Sequence, residues 1–245
     1  MTHVSRPPLT TLDGHEIGHF AFGCMQFGGR ASEAASAAMY EACRAAGLNH
    51  FDTAWVYTEG RSEEILGRLI RQEREALIIA SKAGYTGGAG PENLQAQFDT
   101  SRTRLQLDCI DILYLHRFDP ETPLEQTLEW FAARKEAGEI RYLGLSNFAA
   151  WQVMKAQIAG AKHGIAADIL QPMYSLVKRQ AEVEILPMCM DQGIAIAPYS
   201  PLGGGLLTGK YAAGGSGRLS EDARYNSRYG QDWMRQAASE LAQLA

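Results

Sequence analysis

Cysteine is sparse and never closely paired. Cys24, Cys43, Cys109 and Cys189 lie far apart with no C-x-x-C step, so neither a zinc cluster nor a disulfide framework is indicated. Four buried free thiols and no metal site are the expectation. Runs of Lys or Arg are also missing, and the formal net charge is -5, so the chain carries no footprint for a polyanion. Nucleic acid and an anionic membrane surface are therefore not expected as partners. No apolar window reaches the length of a membrane span, and the opening MTHVSRPPLT has no basic region followed by an apolar stretch. A cytoplasmic protein is expected. Linkers and low-complexity tracts are absent too, so the 245 residues, 46% hydrophobic, read as one domain over residues 1–245 with a sizeable core.

What is present is a regular alternation. From residue 18 onward, short β-branched or aromatic runs alternate with stretches of helical period, the pattern of a parallel sheet covered by helices. Seven strands are expected, at 19–27, 48–54, 76–84, 110–117, 141–148, 168–175 and 194–201. Helices are expected between them, such as 32–46, opened by Ser32 and closed by Gly47, and 122–137, stopped by Gly138. Ahead of the first strand, Asp13-Gly14 signals a hairpin that could plug one end of a barrel. A (β/α)8 barrel typically occupies about 250 residues, but one strand is lacking. After residue 211 a polar, Gly-rich loop is expected over 212–230, then a helix from Asp232 to Ala245. The expectation is a (β/α)8 TIM barrel with an N-terminal β-hairpin whose eighth unit is missing, either because the chain is truncated, the favoured account, or because something else closes the gap.

In such a barrel the C-terminal ends of the strands build the active site. Asp52 ends the second strand and Tyr57 follows it, Lys82 ends the third and His116 ends the fourth. Neighbouring strands lie roughly 4.8 Å apart, so these side chains can converge within about 10 Å. Asp52 would pair with Lys82, and the ammonium would lower the pKa of the phenol from about 10. Tyr57 would then serve as a proton donor near neutral pH, with His116, as a neutral imidazole, orienting a carbonyl oxygen. Each of the four taken alone has an ordinary account as turn former, solvated charge or packed ring. Their conjunction at one end of three consecutive strands favours chemistry.

FDTAWVY with SEEILGRLI, IASKAG, DILYLHR, RYLGLSNF, LQPMYS and APYSPLGGGLLTGKY, in this order from about residue 17 to 211, resemble the aldo-keto reductases. The branch most similar includes bacterial reductases and potassium-channel β subunits. The resemblance implies a TIM barrel, a nicotinamide dinucleotide as hydride donor, and a catalytic tetrad on Asp52, Tyr57, Lys82 and His116. It further implies that Ser146, Asn147 and Gln171 hydrogen-bond the nicotinamide carboxamide and that Tyr199 stacks on the ring. Ser200, Leu202 and Gly203 would line the pyrophosphate, and Met25, Trp55 and Phe118 would wall a substrate pocket. Thr58 departs from the family, which often has Gly after the tyrosine, and little consequence is expected.

The segment that grips the adenosine 2'-phosphate in the family follows an eighth strand, so NADPH is expected from the resemblance alone, with NAD left open. The reaction implied is NAD(P)H-dependent reduction of an aldehyde or ketone, with a small-molecule carbonyl compound as partner. Two further readings stand beside it. One is a slowly turning nucleotide-binding redox sensor or regulatory subunit. The other is a Schiff-base aldolase using Lys82, which pairing with Asp52 disfavours by keeping the amine protonated. Substrate identity and oligomeric state are not legible in the sequence.

Overall fold

The protein is described here from a computed structural model, which covers residues 6–212 and 214–244. Period-two patterning turns the apolar runs into seven parallel strands: β1 (Ala21–Gly23), β2 (His50–Asp52), β3 (Ile78–Ala83), β4 (Ile110–Leu115), β5 (Ile140–Ser146), β6 (Ile169–Gln171) and β7 (Ala195–Ile196). They pair in sequence order, β1 through β7, in one parallel sheet. Helices return the chain between strands: α1 (Glu33–Ala45), α2 (Arg61–Leu69), α3 (Pro91–Leu105), α4 (Leu124–Glu136), α5 (Ala150–Ala161) and α6 (Ile185–Gln192). This is the topology of a (β/α)8 barrel with seven of its eight units, and among the described residues β1 and β7 are the sheet's edges. No helix among them is long and apolar enough to cross a membrane.

Local signals explain the helix ends. The Ser32 hydroxyl accepts from the Ala35 amide to cap α1, and α3 begins with Pro91 at its first position, where a missing N–H costs nothing. Alternate strand residues then face two ways. Ile79, Leu113, Leu115, Leu143, Leu145 and Leu170 pack outward with Leu66, Phe98, Leu128, Phe131 and Val153 of the helices in the main core. Ile78, Ala80, Ile112, Tyr114 and Ile169 point inward and fill the lumen. Tyr114 lies in register with Gly144 across β4 and β5. A Cβ at Gly144 would come within 2.3 Å of the Tyr114 ring, so glycine is what lets this phenol lie across the lumen.

The Asp13-Gly14 turn forms as expected. Thr10 and Glu16 bridge antiparallel with Gly14 at φ 91°, and Ile17 packs against the lumen core, closing the end where the strands begin.

Three expectations are corrected. Strands one, six and seven are shorter than 19–27, 168–175 and 194–201, and for six and seven the reason is that Pro172, Pro198 and Pro201 cannot donate to a ladder. Pairing resumes only as a single parallel bridge, Met173 to Tyr199. The segment 212–230 is not a loop. Apart from Ala213, which lies outside the described residues, it contains α7 (Arg218–Glu221) and α8 (Ala223–Tyr229). With α9 (Asp232–Leu244), these helices bury Leu219, Tyr229, Met234 and Ala238 against Val177 and Leu206 in a second small core. Ala245, the expected end of that last helix, also lies outside the described residues. Finally, Cys24 and Cys189 are buried thiols, but Cys43 and Cys109 are partly exposed.

Candidate active site

The inward rows of β3 and β4 end on polar groups. Lys82 continues the row of Ile78 and Ala80, and His116 continues Ile112 and Tyr114 one residue beyond the strand. Asp52 pairs in register with Ala80, so its carboxylate stands beside Lys82 at the C-terminal mouth. Lys82 is 1% exposed. Its ammonium donates to an Asp52 carboxylate oxygen and, at 2.7 Å, to the Thr53 carbonyl. Nζ lies 4.8 Å from the Tyr57 ring centroid and 5.7 Å from that of Tyr114. The other Asp52 oxygen accepts from Gln171 Nε2 at 2.9 Å. The His116 ring meets the Tyr57 ring edge-on at 5.9 Å. All four tetrad positions are therefore brought together.

Electrostatics of the cluster follow from burial. For Lys82, burial works against the ammonium, but the charges and hydrogen bonds of Asp52 and Tyr57 outweigh it, and its pKa sits above the ordinary lysine value. The His116 pKa is pushed down to about 3, first by burial and then by the Lys82 and Arg117 charges, so the imidazole is neutral. Its Nδ1 is buried without a protein partner. Tyr57 corrects the expectation of an acidified phenol. Burial raises its pKa, and the nearby Lys82 ammonium, although it pulls the other way, does not overcome that. The phenol therefore holds its proton throughout the neutral range, as a proton donor must.

The remaining candidate residues divide. Ser146 ends β5 and donates to the Gln171 carbonyl at 3.1 Å. Asn147, at φ 57°, donates through Nδ2 to the His116 carbonyl at 2.9 Å and to Ser146 Oγ at 3.1 Å. The Tyr199 hydroxyl donates to Asn147 Oδ1 at 2.8 Å. Ser146, Asn147, Gln171 and Tyr199 thus form one network that runs into Asp52. Ser200 and Gly203 stand nearby in left-handed backbone, and Leu202 is exposed. Of the suggested pocket walls, Phe118 packs edge-on against Phe148 and Trp151, and Trp55 lies beneath the Arg104 guanidinium. Met25 is half-buried in the stretch after β1.

Two groups of residues went unnoticed in the sequence. Tyr114 is reached by the same two-residue step that links it to His116, and that period was the available signal. The other group holds the Tyr57 loop. Glu63 on α2 is fully buried, accepts from Ser81 Oγ at 2.6 Å and pairs with Arg104, whose Nη1 also donates to the Trp55 carbonyl at 3.0 Å. Nothing local in the sequence foretells that clasp, because α2 and α3 meet only in the folded barrel.

The C-terminal mouth of this parallel sheet thus brings an acid, an amine, a phenol and an imidazole side by side. The sequence profile described as Aldo/keto reductase family matches residues 19–245, and the chain belongs to that family. It is 39% identical over 195 residues to Aflatoxin B1 aldehyde reductase member 2 of Rattus norvegicus, covering 77% of this chain and 53% of the relative. It is 33% identical over 225 residues to a Probable voltage-gated potassium channel subunit beta of Arabidopsis thaliana, covering 86% of this chain and 67% of that one. With an aldo-keto reductase of Schizosaccharomyces pombe named yakc, whose name specifies NADP(+), it shares 33% over 218 residues, covering 83% and 64%. The chain spans about half the length of the aflatoxin aldehyde reductases it matches.

Proposed function

We propose that this protein reduces an aldehyde or ketone to the alcohol with NADPH, Tyr57 giving up the proton. The observation that carries this reading is the buried Lys82 ammonium, held by Asp52 and facing the Tyr57 phenol, with a neutral His116 at its side. The reduced nicotinamide, when bound, supplies the hydride to the carbonyl carbon. Tyr57 donates its phenolic proton to the carbonyl oxygen, and the adjacent Lys82 charge stabilises the phenolate left behind. His116, uncharged and edge-on to the Tyr57 ring, would orient that oxygen. Asp52 keeps Lys82 protonated, which also speaks against a Schiff base on this lysine.

The residues available for the dinucleotide fit its chemistry. Ser146, Asn147 and Gln171 offer donors and acceptors suited to an amide, and Tyr199 a flat aromatic face. Ser200, Gly203, Gly204 and Gly205 have left-handed backbone in a stretch where successive amides can gather on phosphate oxygens, and the exposed Leu202 lies among them. NADPH is preferred to NAD on the likeness to the NADP(+)-named relative.

Oxidation of NADPH by the purified protein, followed across a panel of aldehydes, tests the reaction. Turnover with at least one aldehyde is expected, and NADPH binding without turnover on any would contradict it. That latter result would favour the second reading, a slowly turning nucleotide sensor, which the likeness to potassium-channel β subunits supports.

A further inference from the structure

Tyr57 is followed by three residues in left-handed conformation: Thr58 (φ 47°, ψ 38°), Glu59 (φ 60°, ψ 30°) and Gly60 (φ 95°). Among the described residues Thr58 is the only β-branched one with positive φ. Branching at Cβ makes this backbone costly for threonine, whereas glycine adopts it freely. Such strain persists only where surrounding structure holds it, so the side chain must give something in return. Its hydroxyl donates to the Phe27 carbonyl at 2.8 Å and accepts from the Ser62 amide at 3.0 Å. The first bond ties the turn to the loop after β1. The second satisfies an otherwise orphaned amide in the first turn of α2, whose N-cap, Gly60, has no side chain to do so. On the other flank, the Tyr57 amide is fixed to the Ala54 carbonyl at 3.0 Å, and Trp55 is held by Arg104.

From these contacts we infer that Thr58 is a positioning residue: its hydroxyl clamps the turn that aims the Tyr57 phenol at Lys82. It does by side-chain bonding what a glycine would do by conformational freedom. The approach is close as well, since a Cβ on Gly29 would come within 2.7 Å of the Thr58 methyl. The inference rests on the proposed reductase reading for its catalytic consequence, but the clamp itself can be measured without turnover.

The test compares Thr58→Val, Thr58→Gly and Thr58→Ser. Valine keeps the branching and loses the hydroxyl, glycine relieves the strain and loses the hydroxyl, and serine keeps the hydroxyl. Valine and glycine are expected to lower kcat by about 10- to 100-fold, the scale of a slightly misplaced catalytic group, with the Kd for NADPH unchanged and serine near wild type. In parallel, the Ser62 amide should exchange its hydrogen faster in the valine and glycine variants and not in the serine variant. Unchanged Ser62 exchange in both hydroxyl-free variants overturns the clamp. So does a glycine variant with wild-type kcat, since relief of strain would then be all that mattered. If the wild-type protein reduces no aldehyde, the proposed reaction falls, and the Ser62 exchange alone decides the clamp. Should the valine variant fail to fold, glycine and serine still differ by the hydroxyl and decide the matter.

Discussion

Two walls of the same barrel are built differently. On the β3 and β4 wall the strands are six residues long and every residue is buried, and the ion pair and the neutral imidazole sit at its C-terminal edge. On the opposite wall β6 has three residues and β7 two, both of the latter half-buried, and the polar groups are Gln171 at the end of β6 and residues such as Asn147 and Tyr199 just beyond the strands. There the bonds run in a chain, from Tyr199 to Asn147, from Asn147 to Ser146, from Ser146 to the Gln171 carbonyl and from the Gln171 amide to Asp52. On the proposed reading, the difference separates a rigid side, where the groups that would handle the proton are pre-paired out of water, from an adaptable side that would grip the ligand. Rigid elements hold geometry more tightly than loops do.

The comparison breaks most visibly at Lys82. Lys82→Met leaves the Asp52 carboxylate without its buried counter-charge and should cost about 3–5 kcal/mol in denaturant unfolding, besides abolishing reduction. A much smaller loss would mean that the rigid side is wetter than its burial indicates. Acid should act next, on His116 just beyond β4 and on His50 of the neighbouring β2. His50, whose pKa burial lowers to about 4, and His116, at about 3, stay neutral in the native state. The unfolded chain takes up those protons below about pH 6.5, so stability is full above that value. It then falls as pH drops towards 4 and 3, by about 1.4 kcal/mol per pH unit for each histidine. Urea unfolding across that window should show the slope, and His50→Gln should remove about half of it.

The adaptable wall should respond in binding. Gln171→Ala removes a neutral hydrogen-bonding group and is expected to weaken NADPH by about 1 kcal/mol in a fluorescence titration, with a lower kcat because Asp52 loses a partner. Tyr199→Ala should weaken NADPH by about 0.5–1.5 kcal/mol while sparing kcat. If Tyr199→Ala instead lowered kcat and left binding intact, the assignment of the two walls would be reversed.

Much of the rigid wall was legible in the sequence. Period-two runs placed Asp52, Lys82 and His116 at strand ends, and the same period places Tyr114 beneath them. The adaptable side was harder to read. Prolines at 172, 198 and 201 shorten β6 and β7 without disturbing the apolar pattern, so apparent strands overran real ones. Leu219, Tyr225 and Tyr229 mark α7 and α8, but the polar and glycine-rich surroundings concealed them until packing with Leu206 and Met234 was visible. The direction of the Tyr57 shift was illegible for another reason. A sequence shows that an ammonium is near a phenol, whereas the amount of water excluded from both is known only from the fold, and here exclusion wins. Thr58 looks inconsequential in the sequence because conformation, not identity, reveals its strain.

The central claim, that the Tyr57 hydroxyl supplies the proton, is tested most directly by single-turnover reduction of an aldehyde by NADPH-loaded wild-type and Tyr57→Phe proteins. Loss of general-acid catalysis predicts a rate about 100- to 10,000-fold lower in the variant, at equal NADPH affinity. An undiminished rate in Tyr57→Phe would contradict the account.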